Sequence, residues 1–323
     1  MRAARNILIA TAIAAGLLLV TVLGWAAWER SRDPLQVLRR PPGNVRVTLD
    51  STYQVLTNAG EQRTFRDLIL VTERVGTVRV TTSSPIAETS TRMPLVIVLG
   101  GLRTGRESLA FIDAHGPNVV VGFEYPYDQE RLDRQSKLAQ IPAIRRAILD
   151  VPSQVNLIAD HLARDATVDG DRKALLGYSF GAMFVPATQR LASDRGMPFQ
   201  ALILAFAGTD IRVLLEANLR IRPAPLRRAI GWSAATAIHA MEPALHLPHL
   251  SGTFLVIRGD QDTRIPAELS HRLASLTPEP KQIVTLDTGH MHPRDPELTA
   301  RVVRISQEWL VSQRVIEGAD SAR

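Results

Sequence analysis

Cysteine is absent from all 323 residues, so no disulfide, thiolate metal site or cysteine nucleophile exists in this chain. That absence says nothing about compartment, because disulfide-free proteins occur on both sides of a membrane. Lysine is almost missing too: three residues (Lys137, Lys173 and Lys281) stand against 35 arginines. A skew of that kind reflects base composition of a genome more than function. The net charge is +6, but the basic residues are scattered among 32 acidic ones, and aromatics make up only 5% of the chain. There is no run of five or six like charges and no basic stretch interleaved with aromatics, so nothing points to a nucleic-acid partner. Neither glycine-rich phosphate-binding signature is present. His239, His246 and His249 are spaced too irregularly for a zinc site and read as packed or solvated side chains. No metal or organic cofactor is implied, and no internal repeat is visible.

What the chain does have is one long apolar run. After a short tail (residues 1–6) carrying Arg2 and Arg5, Ile7 to Trp28 contains no charge over 22 residues. As a helix it would span roughly 33 Å, enough for a hydrocarbon core of about 30 Å. Trp25 and Trp28 stand at its far end, where indoles favour the interface. Gly24-Trp25-Ala26 offers small residues for cleavage of a signal peptide, which would yield a secreted form. The run, however, exceeds the 7–15 residues usual for such peptides. The expectation is a retained membrane anchor at 7–28 with the rest of the chain outside the cytoplasm. Residues 29–44, with Pro34, Pro41, Pro42 and Gly43, read as a linker.

The body of the chain, residues 45–316, has enough length and apolar content (45%) to bury a large core. It opens with β-branched, alternating stretches (Val45 to Leu49, Phe65 to Val71, Val75 to Thr81) that read as antiparallel strands. From Pro94 onward, continuous apolar runs alternate with helical spacings. The runs are Pro94 to Leu99, Asn118 to Phe123, Ala174 to Leu176, Gln200 to Ala207, Thr253 to Ile257 and Lys281 to Leu286. Strands buried on both faces read in this way, so the expectation is an α/β fold: a mostly parallel sheet with helices on both faces. Pro186 falls in a helical pattern and is expected to kink it. Residues 211–251 interrupt the alternation with helical sequence and would form a lid-like insertion over the carboxyl ends of the strands. Asp295-Pro296 reads as an N-cap with proline at the first helical position. Residues 317–323 read as a disordered tail.

Four short motifs fall at strand carboxyl ends, where such sheets collect functional residues. Gly177-Tyr178-Ser179-Phe180-Gly181 follows a strand and precedes a helix, which would hold Ser179 at the tip of a sharp turn in strained backbone. The flanking glycines would be needed because side chains there collide across it. Gly259-Asp260-Gln261-Asp262-Thr263-Arg264-Ile265-Pro266 follows the next-to-last strand, and Gly289-His290 the last. Gly100-Gly101-Leu102 follows the first buried strand. Tyr125 and Tyr127, just past the second, either line a pocket or pack over the sheet edge. Together, and in the order Ser, Asp, His, these motifs resemble those of the α/β-hydrolase superfamily over roughly residues 60–314. Gly100 or Leu99 stands where the family has a histidine, which leaves the register of the glycine turn open by one residue.

The resemblance implies a serine hydrolase without cofactor or metal. Ser179 would be the nucleophile, His290 its general base and Asp262 the acid that orients the histidine. The backbone N–H groups of Phe180 and of Leu102 (or Gly101) would hold the oxyanion. Asp260 and Asp210 are rivals for the acid, and His292 for the base. The expected substrate is a small-molecule or lipid-like ester. A peptidase or amidase on the same residues and a non-catalytic hydrolase-fold binding protein are the alternatives. The sequence does not specify the oligomeric state.

Overall fold

Met93 to Leu99 is buried at every position, and Ala201 to Ala205 likewise, because each strand faces helices on both sides. The computed structural model describes residues 2–57, 60–86, 92–102, 104–112, 115–127 and 137–318. Within these, nine strands form one sheet: β1 (Val45–Leu56), β2 (Gln62–Thr72), β3 (Thr77–Pro85), β4 (Met93–Leu99), β5 (Val119–Glu124), β6 (Val168–Tyr178), β7 (Ala201–Ala205), β8 (Thr253–Gly259) and β9 (Lys281–Leu286). Their order is β1-β2-β3-β5-β4-β6-β7-β8-β9. The pairs from β1 to β5 through β2 and β3 are antiparallel, and every pair from β5 to β9 is parallel. This is the expected α/β-hydrolase architecture.

Successive residues of the central strands enter different cores. Leu95, Ile97 and Leu99 point to one face with Leu175, Leu202 and Leu204. Val96 and Val98 point to the other with Leu176, Ile203 and Ile257. The first face is covered by helix α3 (Lys137–Leu162), helix α4 (Val185–Asp194) and helix α7 (Ala267–Leu276), through Leu149, Val155, Ile158, Leu191 and Leu273. The second is covered by the closing helix α8 (Pro296–Ser312), through Leu298, Val302 and Trp309. Asp295 caps α8 as expected, its carboxylate accepting the Leu298 N–H at 3.0 Å. Burying an apolar side chain of this size stabilises the fold by about 1.5–3 kcal/mol, so the two faces supply most of the driving force.

Three expectations need correction. Helix α1 (Arg2–Ser31) is followed at once by helix α2 (Pro34–Leu38), whose Val37 and Leu38 are buried in the first core. The stretch 29–44 is therefore not a free linker; five residues between prolines are too short to show periodicity. Pro186 does not kink a helix, because a 3-10 turn (Ser179–Met183) comes first and α4 begins at Val185. Pro186 thus lies in the first turn, where its missing N–H has no intrahelical acceptor to lose. Residues 319–323 of the expected disordered tail lie outside the described residues. Glu317, however, is tied to Asn118 through its backbone at 3.0 and 3.1 Å.

The amino edge of the sheet is held by a buried polar network. The Arg63 guanidinium, 3% exposed, donates to the Ser83 hydroxyl (2.8 Å) and to the carbonyls of Gly116 (2.6 Å) and Asn118 (2.7 Å). Burial lowers its pKa to about 10, so it stays charged at neutral pH. The Ser83 hydroxyl also meets His115 Nδ1 at 2.8 Å, and His115 Nε2 meets the Ile112 carbonyl at 3.0 Å. Arg63→Met takes the donor from the buried Asn118 carbonyl, while the Ser83 hydroxyl keeps His115 and the Gly116 carbonyl keeps the Asn118 N–H, and should cost about 1–3 kcal/mol, read as a lowered urea midpoint. His115 and His246 are both buried as neutral rings, and burial lowers each pKa to about 4 from 6.5. The unfolded chain therefore binds more protons than the folded one between those values. Stability is full above about pH 6.5 and is lost as pH falls toward 4, by up to about 1.4 kcal/mol per pH unit from each histidine. Urea unfolding across that range should show the decline, and replacing both histidines by asparagine should flatten it.

Candidate active site

β6 ends at Tyr178, and the chain turns at Ser179 with φ 54°, a left-handed conformation that costs a non-glycine residue roughly 1–2 kcal/mol. Two close approaches enforce the turn. A Cβ at Gly177 would lie 2.5 Å from Ala182 Cα, across the turn as expected. A Cβ at Gly181 would lie 2.0 Å from the Leu99 carbonyl oxygen, so the second glycine lets the end of β4 approach rather than sparing the turn itself. The Ser179 hydroxyl is thereby held at the carboxyl edge of the sheet.

The loops after β8 and β9 reach the same point. His290 Nε2 is 2.7 Å from Ser179 Oγ, and His290 Nδ1 is 2.7 Å from Asp262 Oδ2. The other Asp262 oxygen accepts the N–H groups of Arg264 (2.8 Å) and Ile265 (3.0 Å), which fixes the carboxylate. With Nδ1–H donating to that carboxylate, the Nε2 lone pair faces the serine hydroxyl, the arrangement a general base requires. The His290 and Asp262 side chains are 8% and 4% exposed, so water competes weakly for these bonds. Phe206 packs edge-on against the imidazole with centroids 5.7 Å apart. Gly259 allows the two loops to meet, since a Cβ there would fall 2.5 Å from the Thr288 carbonyl oxygen.

The rivals are placed elsewhere. Asp260 accepts the Thr288 N–H at 3.2 Å, and His292 Nδ1 accepts the Arg294 N–H at 3.0 Å. Asp210 caps helix α5 (Ile211–Asn218) by accepting the Val213 N–H at 3.2 Å.

Opposite Ser179, the turn Gly100-Gly101-Leu102 is held by groups whose role sequence reasoning left open. The Tyr125 hydroxyl donates to the Gly100 carbonyl at 2.5 Å, and the Tyr127 hydroxyl donates to the Leu102 carbonyl. Burial raises the Tyr125 pKa well above its usual value, so that hydroxyl remains a donor. The two rings stack 5.8 Å apart, and Phe180 meets Tyr125 edge-on at 5.2 Å. Two carbonyls of the turn that would hold an oxyanion are thus tied by tyrosine hydroxyls. The usable signal was two tyrosines spaced two apart beyond a buried strand, hence on one face. A cleft of about 1000 Å³ opens beside this turn, lined by Leu102, Tyr125, Tyr127, Arg106, Arg146 and Asp150.

The insertion between β7 and β8 holds α5, helix α6 (Ala224–Ala237) and short 3-10 turns. Its two ends are clamped by Glu242, whose carboxylate accepts the Asp210 and Ile211 N–H groups at 2.8 Å each. Asn218 reaches the acid loop, donating to the Arg264 carbonyl at 2.9 Å. Of its histidines, His246 is a packed one, 2.7 Å from the Ala240 carbonyl.

The model of the prolyl oligopeptidase family matches residues 150–313, which include Ser179, Asp262 and His290. No curated protein matches the chain. Among solved structures, an acetyl xylan esterase from a Paenibacillus species superposes with a TM-score of 0.61 at 14% identity, covering 88% of this chain and 94% of its own. Acetyl xylan esterase 1 from a Thermoanaerobacterium species gives 0.59 at 15% identity, covering 88% and 93%. A hyperthermophilic esterase from the archaeon Pyrobaculum calidifontis gives 0.50 at 16% identity, covering 90% and 93%. At these identities the likeness is one of fold.

Proposed function

The chain belongs to the prolyl oligopeptidase family, and from that premise we propose that it is a membrane-anchored serine hydrolase that opens an acyl bond, an ester first, through an acyl-enzyme. The observation that carries the reading is the pair of 2.7 Å contacts joining Ser179, His290 and Asp262 at the carboxyl edge of the sheet. A serine hydroxyl is a poor nucleophile until a base within hydrogen-bond reach removes its proton. His290 takes that proton as Ser179 attacks the carbonyl, then delivers it to the leaving group. Asp262 holds the tautomer and stabilises the imidazolium. The Phe180 N–H and the Leu102 or Gly101 N–H carry the tetrahedral oxyanion, and each such donor is worth about 10²–10³ in turnover. Water then repeats the sequence on the acyl-enzyme and releases the acid.

Helix α1 supplies the anchor. Within residues 5–31 an 18-residue window has a mean hydropathy of 2.5, and none of that window is buried. The catalytic domain stands outside the cytoplasm in this reading, or is released if the segment is cleaved.

The family membership favours a second reading for the bond, a peptide instead of an ester, because the same residues serve every acyl transfer. A screen of p-nitrophenyl esters of graded acyl length beside a prolyl peptide amide separates the two. Hydrolysis of the esters with the amide untouched supports the first reading; cleavage of the amide alone supports the second. Inertness of the folded protein toward both would favour a non-catalytic binding role and contradict the proposal.

A further inference from the structure

Helix α1 is not a leash. It has 30 residues, about 45 Å of helix, so its last turns extend beyond a hydrocarbon core of about 30 Å. Those turns are built into the domain. Ala26 and Glu29 are buried, and the Glu29 carboxylate accepts a 2.7 Å bond from the Arg145 guanidinium of α3. Arg145 also donates to the Ala237 carbonyl at the end of α6, at 2.7 Å. The Arg30 guanidinium lies 5.9 Å over the Trp232 ring of α6. With α2 buried directly afterwards, the angle between α1 and the catalytic domain is fixed.

This clamp places Trp232 and the carboxyl end of α6 beside the membrane exit of α1. Trp232, next to Arg30, marks the end of the apolar run, and Ala224 is about 12 Å along the helix from it. Ile230 and Leu226 lie nearer, about 3 and 9 Å along the helix from Trp232, against a headgroup layer of about 5–8 Å on each side of the hydrocarbon. The residues in that reach have the composition of an interfacial element. Leu226 and Ile230, four apart and so on one face, are 48% and 38% exposed. Arg220, Arg222, Arg227 and Arg228 lie close to them in sequence, and no acidic residue occurs between Glu216 and Glu242. An exposed apolar pair in a segment with four arginines and no acid fits a surface that is apolar below and anionic above.

We propose that the segment 219–230 of the insertion docks on the bilayer, its arginines on anionic lipid headgroups and Leu226 and Ile230 in the acyl boundary. The inference rests on the reading of α1 as a membrane span. Docking also bears on catalysis. Asn218 links the insertion to the acid loop, so the Ser179 edge of the sheet is held at the lipid surface, where an amphiphilic acyl substrate is concentrated.

The absence of native cysteine makes single-cysteine probes unambiguous. The full-length protein, carrying Leu226→Cys, Ile230→Cys, Leu18→Cys or Asp171→Cys with a bimane label, is reconstituted into phosphatidylcholine vesicles with or without phosphatidylglycerol. Spin-labelled lipids serve as quenchers at shallow and deep positions. The expected result is loss of more than half the emission at 226 and 230 with the shallow quencher in anionic vesicles. Position 18 should respond to the deep quencher, and position 171, on the opposite edge of the sheet, to neither. Changing the four arginines to glutamine should abolish the dependence on phosphatidylglycerol while leaving turnover of a short soluble ester unchanged. An unquenched position 18 overturns the span itself. Quenching at 18 without quenching at 226 and 230 overturns the docking alone, and protection at 226 that scales with protein density in the vesicle would assign the patch to a second copy instead.

Discussion

Ser179→Ala is expected to lower kcat by about 10⁴–10⁶-fold while leaving the fold intact. In the proposed mechanism the loss is large because the hydroxyl would form the acyl-enzyme, and it lies 2.7 Å from the His290 nitrogen that would activate it. What survives is the contribution of binding and of the oxyanion donors, which do not depend on the serine side chain. Stability should move little. Alanine meets the same left-handed backbone at φ 54° that serine does, so the strain of the turn is unchanged and one partly buried hydrogen bond is removed. Steady-state ester hydrolysis and a thermal melt, run on the same preparation, check both halves. A variant that kept its activity would show that another group attacks the substrate. One that lost activity together with its cooperative melt would report misfolding instead.

Gly181→Ala should be the most damaging single-methyl change near the site. Its Cβ would sit 2.0 Å from the Leu99 carbonyl oxygen, 2.5 Å from the Leu99 carbonyl carbon and 2.7 Å from the Gly100 carbonyl oxygen. These are backbone atoms at the end of β4, where Leu99 pairs with Gly177, so no side-chain rotation relieves the clash. Overpacking commonly costs about 1–3 kcal/mol, and a backbone-on-backbone contact inside a parallel sheet belongs at the upper end or beyond. The chain can respond only by separating the serine turn from the glycine turn, the two segments that would hold the oxyanion. A displacement of about 1 Å there is expected to reduce kcat/KM by 10²-fold or more. Gly196→Ala is the control. Its φ of 72° adds a left-handed strain that Gly181 does not have, but its Cβ would meet nothing within 4 Å, so only about 1 kcal/mol should be lost and activity kept.

The parts of this molecule legible in the sequence are those governed by local pattern. Strands such as Met93–Leu99 announce themselves because burial on both faces demands an unbroken apolar run. The serine turn and the acid loop are legible because their glycines answer to close backbone approaches within a few residues of the reacting groups. Asp262 is preferred to Asp260 through the resemblance of Gly259 to Pro266 to the family's acid loop, and in the structure Asp262 meets His290 while Asp260 turns to the Thr288 N–H. What stayed hidden depends on contacts distant in sequence. Leu38 belongs to a five-residue helix between prolines, and its burial comes from α3 and α4, more than a hundred residues away. The support from Tyr125 and Tyr127 is a match between two loops on neighbouring strands, and neither loop reveals it alone. Glu242 closes the insertion by bonding to backbone 31 and 32 residues earlier, a distance at which no periodicity operates.

The central claim is that Ser179 is the activated nucleophile. It is tested most directly by treating the folded full-length protein with a fluorophosphonate and locating the adduct by peptide mass mapping. The account predicts one adduct per chain, on Ser179, absent from Ser179→Ala and strongly slowed in His290→Ala. No adduct on a protein that melts cooperatively, or an adduct on any other residue, would contradict it.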